Sequence, residues 1–254
     1  MNLSLTKNLH IIFRIACAMC FIGHGAFGII TKQVWCNYFA VFGIGQDMAY
    51  QLMPVVGTVD IICGILFIVY PVRAVAGWLI IWGLFTASLR PLSGEPLAEF
   101  FERAGNYGAP LVLLLLSGTA WSWFQKMEPQ QLNAEEQERL ELWLRIVACT
   151  LLFGHGWLNV IEKAGLLKQY ASLGIGDTIL MAHVIGGIEI VGALLILLKP
   201  TRYLVLAFFV WKMASEVLYP AYPFFEWVER AGSYAILFGL WLVLRSEFKF
   251  AMSK

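Results

Sequence analysis

Hydrophobic residues in this chain gather into blocks of about 18–22 positions, long enough to cross a hydrocarbon core of about 30 Å as helix. Eight such blocks can be drawn, at 9–31, 51–70, 73–90, 106–124, 142–161, 179–198, 202–219 and 232–247. Backbone polar groups in lipid must be satisfied within the segment, so each block is expected to be a helix. The alternating polar pattern of a membrane barrel is absent. The pattern predicts an all-α polytopic membrane protein with eight transmembrane helices.

The blocks are not eight independent sequences. Arg14-Ile15 and Gly23-His24-Gly25 return as Arg145-Ile146 and Gly154-His155-Gly156, with Lys32 answered by Lys163. Gly43-Ile44-Gly45 returns as Gly174-Ile175-Gly176, Asp60 as Glu189, Trp82 as Trp211 and Pro91 as Pro220. The run Glu102-Arg103-Ala104-Gly105-Asn106-Tyr107 returns as Glu229-Arg230-Ala231-Gly232-Ser233-Tyr234. The matches keep their order across both halves, as an internal repeat does. This predicts a first four-helix unit over 1–125, a cytoplasmic linker over 126–141 and a second four-helix unit over 142–254. An even number of spans per unit makes the two bundles parallel repeats about an axis along the membrane normal, not inverted ones. The charged stretch from Asn133 to Arg139 reads as a short surface helix or loop between them.

Composition agrees with lipid as the main solvent. Of 254 residues, 59% are hydrophobic and 14% charged, against about a quarter charged in a soluble domain. Mean hydropathy is +0.72. A net charge of +1 carries no polyanion-binding signature, so nucleic acid is not expected as a partner. The first block has no small-residue cleavage site convincingly placed after it and reads as a retained span. Basic residues lie mostly on the side of the chain ends (Lys7, Arg14, Arg73, Lys126, Arg139, Arg145, Lys199, Arg202, Arg245, Lys249, Lys254). Fewer lie opposite (Lys32, Arg90, Arg103, Lys163, Lys168, Arg230), which places both termini in the cytoplasm.

Ionisable residues at membrane depth are expensive and each is a candidate for function. His24 and Asp60 occupy the first unit. The second holds their counterparts His155 and Glu189 and adds His183, Lys212 and Glu216, where the first unit has Pro54, Gly83 and Ala87. A site is therefore expected in the second unit. Lys212 and Glu216 share a helix face, and an interhelical Lys212–Glu189 pair is expected. These charges either neutralise one another and hold the bundle, or line a polar pocket that binds a head group or moves a proton. An imidazole, His155 or His183, beside Glu189 would suit proton relay, because imidazole titrates near physiological pH. The Gly-His-Gly runs read either as a close approach for a ligand or as a packing notch whose histidine bonds a backbone carbonyl. No histidine, cysteine and carboxylate spacing matches a recognised metal site.

Glu102 and Glu229 stand where a helix N-terminus favours negative charge, and Arg103 and Arg230 can reach lipid phosphate or pair with a carboxylate. Tyr107 and Tyr234 complete a set of interface anchors. The preceding stretches, Leu92–Phe101 and Ala221–Val228, are expected to lie over the bundle as lids. Cys17 and Cys20 have a redox spacing but lie in an apolar block, where cysteine is commonly a small filler.

The Arg14…Gly23-His24-Gly25…Lys32 and Arg145…Gly154-His155-Gly156…Lys163 patterns, with the run from Glu102 to Gly108, resemble the DoxX-like family of small bacterial membrane proteins. Its members are usually single four-helix units. The resemblance implies a multi-pass protein of the bacterial inner membrane. It also implies quinone-linked oxidation, as in a subunit of thiosulfate:quinone oxidoreductase, with a partner oxidoreductase. On this expectation the chain binds a quinone, with Trp211, Phe208 and Trp157 lining the ring site and His155 or Glu189 handling the proton. No haem ligand pair or iron–sulfur spacing lets the chain carry electrons alone. Two other readings stay open: a transporter or lipid-binding protein using glycine-rich helix near Gly186-Gly187, and a structural partner without ligand chemistry. No residue is assigned a catalytic role, and whether the chain is an enzyme stays open.

Overall fold

The computed structural model describes residues 3–118, 122–218, 220 and 223–252, and all its named elements are helices. The first half contains α1 (Leu3–Ile29), α2 (Trp35–Ala40), α3 (Gln46–Val69), α4 (Arg73–Leu92), α5 (Ala98–Glu102) and α6 (Ala104–Leu116). The second contains α7 (Ala134–Val160), α8 (Ala164–Ser172), α9 (Thr178–Leu198), α10 (Arg202–Val217), α11 (Pro223–Glu229) and α12 (Ala231–Met252). Ala221 and Lys254, named above for the second lid and the basic side, lie outside the described residues.

Four of these helices, α1, α3, α4 and α9, are long and apolar enough to cross a membrane. A fifth candidate is α7 with α8, bent by 81° at the break between them. The expected span at 106–124 is helical only to Leu116, because the chain turns at Gly118 with φ +67°. Its 13 residues reach about 20 Å at 1.5 Å per residue, short of a bilayer core. At α10 the helix has 16 residues. The stretch from Asn133 to Arg139 is neither a separate helix nor a loop: it forms the start of α7. Asn133 accepts from the Glu136 backbone N–H, and Glu136 accepts from that of Asn133. This reciprocal cap satisfies donors that a helix start leaves open.

Helix α3 lies antiparallel on α1, and α9 on α7. In each pair glycine faces glycine: a Cβ at Gly25 would collide with the Gly57 carbonyl, and one at Gly156 with that of Gly186. The backbones therefore approach closely, as small residues allow between helices in lipid. At the far end, Arg14 donates to the carbonyls of Phe67 and Ile68, and Arg145 to that of Leu197. A neighbouring guanidinium thus satisfies carbonyls that the last turns of α3 and α9 leave without a helical partner.

The main core lies among α1, α6, α7 and α12, with Phe13, Leu113, Leu144, Leu151 and Ile236 fully buried. Helix α5 does not lie over its own bundle as a lid. It packs against α7, and α11 packs against α1. The starts of α6 and α12 meet where Gly105 touches Ser233 and Gly232 touches the Gly105 carbonyl. Each half therefore places its last two helices against the other half. The outer faces carry exposed Ile62, Ile65, Ile81, Ile188, Val191 and Val210, apolar surface suited to lipid.

Candidate functional site

The histidines of the two Gly-His-Gly runs meet carboxylates on the neighbouring long helices. His24 Nδ1 lies 2.7 Å from Asp60 Oδ2, and His155 Nδ1 lies 2.8 Å from both Glu189 oxygens. Both carboxylates are buried. The histidine partner is thus a side chain, not the backbone carbonyl of a packing notch. The two pairs differ in what surrounds them. Glu189 also accepts from Trp211 Nε1 at 2.7 Å and Asn159 Nδ2 at 3.2 Å, and Tyr170 donates to Asn159 at 2.6 Å. In the first half Asp60 is one methylene shorter, Gly28 stands where Asn159 does, and Trp82 Nε1 is buried without a partner.

Between the halves lies a set of crossed ion pairs. Lys32 on the first half reaches Glu226 of α11 at 2.5 Å, and Lys163 on the second pairs with Glu99 of α5. Arg103 bonds Glu229 at 3.2 Å, and Arg230 bonds Glu102. The spacing Glu-x-x-Glu-Arg, at Glu99–Arg103 and again at Glu226–Arg230, presents both carboxylates of one half to the cations of the other. Gly23 and Gly154 leave room for the backbone of Glu229 and Glu102 respectively. Two motifs of the sequence, Gly-His-Gly…Lys and Glu-Arg-Ala-Gly, are therefore the two sides of one joint.

Of the two expectations for Arg103 and Arg230, pairing with a carboxylate is the one seen. Glu102, Arg103, Glu229 and Arg230 are buried with partners inside the protein, Tyr234 is buried and Tyr107 half-buried. The expected Lys212–Glu189 pair does not form. Lys212, fully buried, donates to Glu216 at 2.5 Å and Glu102 at 3.1 Å, while Glu189 is taken by His155 and Trp211. His183 faces outward, 3.2 Å from Glu162 with its side chain nearly half exposed, and touches none of these groups. Cys17 and Cys20 are both free and buried in the core.

A cavity of about 320 Å³ opens in the first half. Its wall combines rings from α2 and α4 (Trp35, Trp82, Phe85), His24 from α1, and Arg103, Asn106 and Glu229 from the joint. His24 packs against Trp35 with ring centroids 4.7 Å apart. Three wall residues carry a buried polar atom without a partner: Trp82 Nε1, Arg103 Nε and Asn106 Oδ1. Such atoms are costly unless something bonds them. The second half has a more open apolar groove of about 650 Å³ between α9 and α10, with Phe208, Trp211 and Glu189 in its wall. Trp157 is elsewhere, 6.2 Å from the Phe101 ring. Helix α9 runs unbroken through Gly186-Gly187.

Sequence reading passed over Trp35, Phe42, Phe85, Asn106 and the Glu99/Glu226 pair. Only the last carried a signal, the repeated Glu-x-x-Glu-Arg spacing. Trp35, Phe42 and Phe85 are not repeated, since Leu166, Leu173 and Ala214 stand at the corresponding places of the second half, whereas Trp82 returns as Trp211.

Residues 140–219, from α7 through α10, match the family model of DoxX, which assigns this stretch to a DoxX-like membrane family. With the apolar helices of both halves, the match makes the chain a membrane protein in contact with the bilayer. No curated protein and no solved structure matches the chain.

Proposed function

We propose that this chain binds a quinone in the first-half cavity and supports a partner oxidoreductase at the membrane. One observation carries the reading: an aromatic-walled cavity holds unpartnered hydrogen-bonding atoms at Trp82, Arg103 and Asn106, next to a histidine–carboxylate pair. Binding sites for small molecules typically combine an apolar wall of this size with a few convergent polar groups. Trp82 and Arg103 offer N–H donors for carbonyl oxygens, and Asn106 Oδ1 accepts from a hydroxyl. Asp60 on Nδ1 leaves His24 Nε2 free to hold or release a proton. A quinone supplies two-electron, two-proton chemistry when bound, with electrons delivered by the partner enzyme. The family resemblance supports the same ligand class.

Around this site the chain is a tandem duplication: eight crossings in two parallel four-helix units, 1–125 and 142–254, joined by a cytoplasmic segment at 126–141. The identical order of long and short helices in the two halves supports the duplication. The shorter α6 and α10, and the apolar part of α12 from Ala231 to Arg245, cross with the help of their flanking residues. Both termini lie on the cytoplasmic side of an inner membrane. Many of the basic residues on the opposite side are held in ion pairs with glutamates, as at Lys32, Arg90 and Lys163.

Organic extraction of the purified protein, followed by mass spectrometry, tests the reading. Near-stoichiometric quinone that falls in the Trp82→Phe variant is expected. A quinone content equal to that of the surrounding lipid extract, unchanged by the substitution, overturns it.

A further inference from the structure

Resting on the quinone reading, we infer that the cavity is reached sideways from the bilayer, through a mouth formed by Phe42 and Phe85, and that its occupant is a ring with an apolar tail left in the lipid. Of all the residues in the cavity wall, only Phe42 and Phe85 are exposed, at 54% and 41%. They mark the opening. Phe42 comes from the turn between α2 and α3, and Phe85 from α4; their rings stack with centroids 5.8 Å apart. Val55 and Val59 of α3 and Ile81 and Leu84 of α4 are exposed apolar residues on the two helices that flank them, with Gln46 and Asp47 exposed at the start of α3. A mouth bordered this way faces acyl chains rather than water, because an apolar rim of this extent is stable only against lipid.

The rings continue along α4. Trp78 stacks on Trp82 at 5.4 Å, and Trp82 on Phe85 at 5.5 Å, so that four rings run from the outer face of the helix to the mouth. Trp78 is itself 42% exposed. Packing does not require this ladder. In the second half the corresponding residues are Ala207, Trp211, Ala214 and Leu173, and the helix there forms without it. A run of rings with its ends exposed, at Trp78 and Phe42, offers a planar aromatic head stacking partners along its edge, each favourable in offset geometry. A cavity of about 320 Å³ holds a substituted ring but no long chain, so a tail has to leave through the mouth.

Two photoreactive quinones with the same decyl tail test the route in lipid nanodiscs, one carrying its azide on the ring and the other at the tail end. The ring probe should label cavity residues near Trp82 and Asn106, and the tail probe the outer faces of α3 and α4. The double variant Phe42→Leu/Phe85→Ala gives the first half the residues of the second. It should weaken binding of the tailed quinone about tenfold, given the stacking lost, while the thermal melt stays at the wild-type temperature. Ring labelling in the cavity with tail labelling on α2 or the polar loops overturns lateral access and keeps the quinone site. Unchanged affinity in the double variant also overturns it. Absence of ring labelling in the cavity overturns the quinone reading itself.

Discussion

The two halves place a histidine beside a carboxylate in the same way and then part company. Around His155 and Glu189 the side chains bond one another: Trp211, Asn159 and Tyr170 close a network, and Lys212 and Glu216 fill the adjoining interior, while Arg230 Nε, Ser233 Oγ and Tyr234 OH at the joint stay without a partner. Around His24 and Asp60 the tryptophan donor is idle, the asparagine is a glycine, and the lysine and glutamate are Gly83 and Ala87. A saturated polar network in low dielectric is rigid and specifies one packing, while an unsaturated one leaves bonding capacity for another molecule. On the proposed reading the richer set of charges is the structural half, and the sparser set borders the ligand cavity. Counting ionisable residues then points away from the ligand, because charges that satisfy each other leave little for it.

The largest effect that would test this division is expected at Lys212. Lys212→Met leaves Glu216 buried without its cation and should cost about 3–5 kcal/mol, read as a lowered unfolding temperature in detergent. Adding Glu216→Ala, which restores the first-half composition there, should recover most of the loss. If the single variant melts like wild type, the second half is not held by its charges.

Next in size is the joint between the halves. A Cβ at Gly232 would strike the Gly105 backbone, so Gly232→Ala should cost about 1–3 kcal/mol through overpacking. The matched control is Gly187→Ala, where nothing lies within 4 Å. Equal melts for the two would remove the close approach as a determinant of the fold.

A smaller stability effect, with a sharper functional one, comes from exchanging the carboxylates. Glu189→Asp withdraws reach from Trp211 and should cost about 1–3 kcal/mol for the unsatisfied group. Asp60→Glu gives the first half the reach of the second. It should engage Trp82 Nε1 and lower quinone content severalfold with little change in melting. An undiminished quinone content in that variant would separate Trp82 from ligand binding. The smallest change is at Gly187→Ala itself, expected to stabilise by about 0.5–1 kcal/mol from helix propensity alone.

Sequence alone determined the solvent and the helical class, since block length and composition are local properties, and its repeated motifs carry the proposed correspondence between halves; where helices end, as at Leu116, took the packed structure. The positions of His24, Asp60, His155 and Glu189 on neighbouring helices were legible in the same way. Tertiary structure alone decided that Glu102 and Arg103 close on Arg230 and Glu229 across the molecule rather than on lipid. A repeat says which residues are equivalent, but a motif can close within its own copy or on the other one, and the same residues serve either arrangement. It also decided that Lys212 turns to Glu102 and Glu216, away from Glu189. The repeat read in the eight apolar blocks is the frame proposed for the molecule. The polar atoms left without a partner beside the cavity, at Trp82, Arg103 and Asn106, belong to the first half, and only the packed structure shows that.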